Sequence, residues 1–120
     1  MLAVDWFEIP ATDFDRAVRF YGALLERDIR LDESLGAPHG FFAATPGGVG
    51  GAVIKQARDA AAQSLIYLDA NSEAELMAML ERVEPLGGST ILPKTSVGEQ
   101  GWIAIVADTE GNRVGLHARA

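Results

Sequence analysis

The chain is 120 residues long, 48% hydrophobic and 22% charged, with a formal net charge of −7 and no cysteine; that length suits one domain, and that composition excludes a disordered chain. The lack of cysteine excludes disulfides, thiolate nucleophiles and thiolate metal sites, and the acidity argues against nucleic acid as a partner. No apolar run approaches the ~20 residues of a membrane span and no basic segment with a signal core opens the chain, so a cytoplasmic protein with no membrane partner is expected.

Leu2 to Ile9 alternates as a strand, with Leu2, Val4, Trp6 and Glu8 on one face and Ala3, Asp5, Phe7 and Ile9 on the other. Pro10 ends it. Thr12 is the predicted N-cap of a first helix, Asp13 and Asp15 suit its positive end, and Phe14, Ala17, Val18, Tyr21, Leu24 and Leu25 recur at helical spacing. Arg27 to Asp32 reads as a half-exposed strand and Ser34 to His39 as a turn. His39 to Ala44 is a short strand centred on Phe41 and Phe42, and Val49 to Lys55 is another, after the turn Thr45-Pro46-Gly47-Gly48. The polar and alanine-rich residues from Gln56 to Gln63 read as a connector.

Ser64 to Asp69 is again apolar and β-prone. Ser72 with Glu75 three residues later forms a capping box, and Leu76, Met79, Leu80 and Val83 give the stripe of a second helix that Pro85 and Gly87-Gly88 terminate. Ser89 to Val97 reads as extended, with Pro93 marking an edge or a bulge. Trp102 to Ala107 is an apolar run that suits a strand covered on both faces. Asp108-Thr109-Glu110-Gly111 reverses the chain, and the last strand alternates Val114 and Leu116 with Arg113, Gly115 and His117.

The two halves share one order: strand, helix, three strands. Thr12 and Ser72 lie 60 residues apart and Gly47 and Gly111 lie 64 apart, as an internal repeat requires. The sequence predicts an α+β domain of two βαβββ modules, module one at about 1–55, a connector at 56–63 and module two at about 64–118. Each module would be a curved mixed sheet with its helix on one face and the other face left to enclose a concave cavity.

Phe7-Glu8-Ile9-Pro10, the stretch Asp15-Arg16-Ala17-Val18-Arg19-Phe20-Tyr21 followed by Leu24-Leu25, Gly87-Gly88 with Leu92-Pro93-Lys94, and Asp108-Thr109-Glu110-Gly111-Asn112 together resemble the vicinal oxygen chelate superfamily. That superfamily includes glyoxalase I, extradiol dioxygenases and bleomycin-resistance proteins, and the closest likeness is to small bacterial glyoxalase-like proteins. The resemblance implies paired modules around a cavity, commonly completed by a second subunit, so a homodimer is expected. It also implies that members with a metal carry His or Glu on the first and last strand of each module. Those four positions fall here near Trp6, Lys55, Ser64 and Gly115, none of which is a usual ligand; one pleat away, on the same face, stand Glu8 and His117.

Two functions from different classes follow. The first is a metal-assisted lyase, isomerase or dioxygenase, in which a divalent cation held by Glu8 and His117 polarises substrate oxygens and Glu8 moves a proton. The second is a metal-free protein that binds a small molecule in the concave sheet. An incomplete ligand set favours the second, so no cofactor is expected. Glu8 is the candidate catalytic group. Trp6, Lys55, Trp102, Arg113 and His117 are the candidate ligand-binding residues, with aromatic faces for stacking and cations for an anionic group. The plainer alternative makes the two tryptophans core residues and the cations solvated charges. His39, beside Pro38 and Gly40, reads as a solvated loop residue.

Overall fold

The computed structural model describes residues 2–57 and 63–120. The chain divides into two compact units: Trp6–Ser64, hereafter module one, and the residues up to Asp5 with Leu65–Ala120, hereafter module two. Most of the connector, residues 58–62, lies outside the described residues.

Module one is built from β1 (Val4–Ala11), α1 (Phe14–Leu25), β2 (Arg30–Asp32), β3 (His39–Phe41) and β4 (Gly50–Lys55). The strand order is β2-β3-β4-β1, with β1 and β4 parallel and the other neighbours antiparallel. The first residues of β1 belong with module two. The N-cap of α1 is Asp13, one residue beyond the predicted Thr12; its carboxylate accepts from the Arg16 backbone N–H at 3.1 Å. The helix ends at Glu26 in the left-handed region, φ 52°, whose N–H reaches the carbonyls of Ala23 and Gly22. Gly40 faces α1: a Cβ there would lie 2.8 Å from Ile29 and 3.2 Å from Val18. Gly40 pairs with Val53 and Val53 with Ile9, so that row lies under the helix. By strand alternation Trp6, Glu8, His39, Phe41, Ala52 and Ile54 share the helix-free face.

Module two contains β5 (Leu65–Asn71), α2 (Glu73–Val83), β6 (Ser89–Ser96), a 3-10 turn at Gly98–Gln100, β7 (Trp102–Ala107) and β8 (Arg113–Ala118). The strand order is β5-β8-β7-β6, with β5 and β8 parallel. Half of the capping box forms: Ser72 Oγ accepts from the Glu75 N–H at 3.2 Å, while the Glu75 carboxylate takes the Ser72 hydroxyl at 2.8 Å and the Ser72 N–H goes instead to the Ala70 carbonyl at 2.9 Å. Leu76 of α2 is fully buried against Ala70, Ala104, Leu116 and Ala118, with Met79, Leu80, Trp102 and Val106 around them. Burying one such leucine stabilises the module by about 2 kcal/mol. Pro93 stands where the β6–β7 register shifts, between Leu92 and Thr95, on the outermost strand of the module's order. At the β7–β8 turn Asp108 accepts from the N–H groups of Glu110 and Asn112, each at 2.8 Å, and Gly111 takes φ 84°.

The two modules repeat one topology, and the rows on the helix-side face of each sheet fix its offset. Ile9–Val53–Gly40 in module one corresponds to Leu68–Leu116–Ala104 in module two. The first strand and the helix cap are therefore displaced by 59 residues, as Asp13 and Ser72 are. Among the described residues no helix is long and apolar enough to cross a membrane.

Candidate functional site

In module one Trp6 and Glu8 come together. The indole Nε1–H donates to a Glu8 carboxylate oxygen at 3.3 Å, and both side chains are half-buried. Gly50 pairs with Trp6 in register, and a Cβ on it would meet the indole at 2.9 Å, so the missing side chain lets the ring approach β4 closely. The ring of Phe41 lies 5.9 Å from Trp6, and the Arg30 guanidinium sits 4.4 Å above the Phe41 ring. Lys55 does not join them. It alternates with Ile54 onto the α1 side of the strand and is exposed at its end, so the sequence-based placement of Lys55 beside Glu8 is replaced by one on the opposite face.

His39, which the sequence analysis reads as a solvated loop residue, is half-buried. It opens β3, and its ring stacks on Phe41 at 5.7 Å with 21° between the planes. Its Nδ1 lies 2.7 Å from the Ala37 carbonyl oxygen. A carbonyl only accepts, so Nδ1 carries the hydrogen and the neutral ring presents its lone pair at Nε2.

In module two Arg113 and His117 share the face turned away from α2, four residues apart on β8 and opposite Ala107 and Ile103. Trp102 pairs with Ala118 and packs against the core under α2, so it serves the interior of the module on the face opposite to His117. The His117 ring is tied at both ends: Nδ1 lies 2.7 Å from an Asp5 carboxylate oxygen and Nε2 lies 2.6 Å from the Gln100 carbonyl oxygen. Both partners can act as acceptors, whereas a neutral imidazole carries one N–H. Asp5 is buried, and its other oxygen has no hydrogen-bond partner among the described residues.

Where Gly115 would need a side chain, the Tyr67 ring lies 2.3–2.7 Å from the Cβ position. His117 has both nitrogens committed, Glu8 accepts from Trp6, and among the described residues no group of three or more His, Cys, Asp or Glu is placed to hold a metal ion. A cavity of about 530 Å³ lies elsewhere in module one, at the start of α1, lined by Pro10, Thr12, Arg16, Phe20, Tyr21 and Gln56 among others. It contains none of Trp6, Glu8, Lys55, Trp102, Arg113 or His117.

Asp69, across the strand pair from His117, is the second buried carboxylate of module two. Burial pushes its carboxyl up, but the N–H groups of Asn71 and Leu2, at 2.8 and 3.1 Å, and the charge of Arg119 outweigh this and hold it below the ordinary value of 3.8. A depressed folded value contributes stability that is present above the unfolded value and lost as pH falls through the folded one. Asp69→Asn is therefore expected to lower stability at neutral pH and to flatten its decline below about pH 4. Urea unfolding of both proteins from pH 7 to pH 2.5 checks this; parallel curves would remove Asp69 from the acid response.

The family model for the glyoxalase-like domain matches residues 1–117. No curated protein matches the chain. Among solved structures, the chain is similar to a Streptomyces coelicolor methylmalonyl-CoA epimerase variant in complex with 2-nitronate-propionyl-CoA, at 18% identity and TM-score 0.68, covering 100% of this chain and 99% of that one. It is also similar to methylmalonyl-CoA epimerase from Mycobacterium tuberculosis, at 16% identity and TM-score 0.65 over 98% and 88% of the two chains. A structure described as an NAD-dependent benzaldehyde dehydrogenase from Legionella pneumophila aligns at 14% identity and TM-score 0.67 over 96% and 98%. Identities this low carry the fold alone. With the paired βαβββ topology and a family match over nearly its whole length, the chain belongs to the glyoxalase-like domain family.

Proposed function

We propose that the protein binds a small organic molecule on the helix-free face of module one, at Trp6, Glu8, Phe41 and Ile54, without a resident metal ion. The observation that carries this reading is the joining of Trp6 to Glu8 at 3.3 Å, with a second ring, Phe41, at 5.9 Å. An apolar, aromatic surface with few oriented polar groups is the usual form of a ligand site. The ligand chemistry of the epimerase structures supports a small-molecule role, since one of them holds 2-nitronate-propionyl-CoA. The donor geometry supports a metal-free site, and Glu8 remains the candidate proton-transfer group should the bound molecule react.

The chain has two tryptophans, and they divide the test cleanly. After a thermal-shift screen has found a ligand, that ligand is expected to change the fluorescence of Trp102→Phe protein, which keeps Trp6, and to leave Trp6→Phe protein unchanged. A response from Trp102 alone would overturn the placement. Glu8→Gln is expected to weaken binding of the same ligand while the melting temperature moves little. Normal binding with a much lower melting temperature would make Glu8 structural.

The same reading takes the protein to be a homodimer in solution. Its support is the apolar surface exposed on α1, where Phe20 and Leu24 are 58% and 63% accessible. Light scattering at micromolar concentration should return twice the 12.8 kDa chain mass; a monomer mass would refute it.

A further inference from the structure

We propose that the cavity at the start of α1 binds a free α-amino acid with an apolar side chain, Arg16 holding its carboxylate and Asp13 its ammonium group. The site shares no residue with the surface at Trp6 and Glu8 and does not depend on it.

The cavity, about 530 Å³, has the size of a small-molecule pocket. Three pieces of chain wall it: the end of β1 at Pro10 and Ala11, one side of α1, and Gln56 just beyond β4. The Gln56 N–H donates to the Ala11 carbonyl at 3.0 Å, which ties two of these walls together. Along the helix Asp13, Arg16, Ala17 and Phe20 recur at spacings of three and four, so they form one stripe beside the opening. The half-buried Tyr21 adds an apolar wall. Its ring is edge-on to Phe20 at 5.1 Å and to Phe42 at 5.5 Å, and Phe42 lies 5.4 Å from Phe7 of β1, so the aromatic wall is braced from the sheet.

Among the described residues the lining carries two charges, Asp13 and Arg16, and they are opposite and loosely joined. Arg16 Nη1 lies 3.8 Å from Asp13 Oδ2, too far for a hydrogen bond, and the two side chains are 72% and 52% exposed. Such a pair in water is worth at most about 1 kcal/mol, so a ligand displaces it at little cost. The other Asp13 oxygen already accepts from the Arg16 backbone N–H at 3.1 Å, so the helix end has its cap and is not what draws an anion. A carboxylate alone meets Asp13 as a like charge, and an amine alone meets Arg16. An α-amino acid carries both charges on one carbon and satisfies the two residues together, which selects it against either single-charged analogue. The planar guanidinium suits the carboxylate. Pro10, Ala17 and the Tyr21 ring then receive the apolar side chain.

The test uses L-phenylalanine, 3-phenylpropionate and 2-phenylethylamine, which share one ring and differ in charge. Titration of the 15N-labelled protein with each is followed through the backbone amides of residues 11–21 and 56. Phe20 belongs also to the exposed strip with Leu24, so the protein concentration is held fixed throughout. Phenylalanine is expected to move these amides and to bind about fivefold more tightly than either analogue, the upper end for one exposed charge pair. Asp13→Asn, which keeps a capping oxygen, should abolish the preference over 3-phenylpropionate, and Arg16→Gln the preference over 2-phenylethylamine. Both variants should melt nearly as the parent does, because both side chains are exposed. Equal affinities for the three probes in the parent protein reduce the site to an apolar groove and overturn the charge assignment. Shifts confined to residues 6–8 and 52–54 place the molecule at Trp6 and overturn this site while supporting the other. No shift at residues 11–21 and 56 with about 10 mM of any probe overturns the site altogether.

Discussion

Replacing His117 with alanine is expected to cost module two about 3–5 kcal/mol, the scale for breaking one side of a buried ion pair. Asp5 has one carboxylate oxygen without a partner among the described residues and the other bonded to His117 at 2.7 Å. Without the imidazole both oxygens would be buried and unmatched. The Gln100 carbonyl would lose its donor at 2.6 Å in the same step. Urea denaturation at pH 7 measures the loss. The double variant Asp5→Ala/His117→Ala should be less destabilised than the sum of the two single changes, because removing the second partner also removes the orphaned charge. A His117→Ala penalty below about 1 kcal/mol would show that water reaches Asp5 and that the pair behaves as a surface contact.

Gly101→Ala should be comparably severe, for a reason that lies in the backbone. Gly101 has φ 100° and ψ −127°, a conformation that L-residues avoid, and it stands immediately before β7. A Cβ at this position would fall 2.0 Å from the Ala118 carbonyl oxygen, 2.7 Å from the Ala120 nitrogen and 2.8 Å from the Arg119 carbonyl carbon. No side-chain rotation can relieve a clash with main-chain atoms. Strain and displacement together are expected to cost about 3 kcal/mol or more, a fall of ~10 °C in melting temperature for a domain of this size. Gly98 provides the control. It also has positive φ, 69°, but a Cβ there meets nothing within 4 Å, so Gly98→Ala should cost only ~1 kcal/mol. Equal melting temperatures for the two variants would mean that the closing segment of β8 yields easily.

The elements that sequence reasoning located best were those whose patterns are local. The stripes of α1 and α2, the Ser72 capping box and the Asp108–Asn112 turn each depend on residues a few positions apart. The first helix cap was displaced by one because Thr12 and Asp13 are both capping types, and only the bond to the Arg16 N–H separates them. Faces were harder to read than strands. Alternation shows that Ile54 and Lys55 point opposite ways, but which of them lies under α1 depends on pairing with β1 and β3. Trp102 begins an apolar run without alternation, so its phase had no local signal. The clasp between Asp5 and His117 joins residues 112 apart, a separation at which a lone sequence offers no trace of contact. The contact of His39 with Phe41 could have been read from their spacing of two, which puts both rings on one face of a strand.

That same separation sets an order on synthesis. Asp5 emerges from the ribosome 112 residues ahead of the histidine that will cover it, on the order of ten seconds at ordinary elongation rates. Module one, spanning Trp6–Ser64, has all its strands before the second half of the message is read. The residues before it cannot be docked in that interval, because neither β5, whose Asp69 bonds Leu2 and Ala3, nor β8, whose His117 bonds Asp5, yet exists. Until then the carboxylate remains hydrated and the leading segment stays accessible to chaperones. A nascent chain that stalls before residue 117 is thus left with Asp5 unfastened, because the strand that covers it is made 112 residues later.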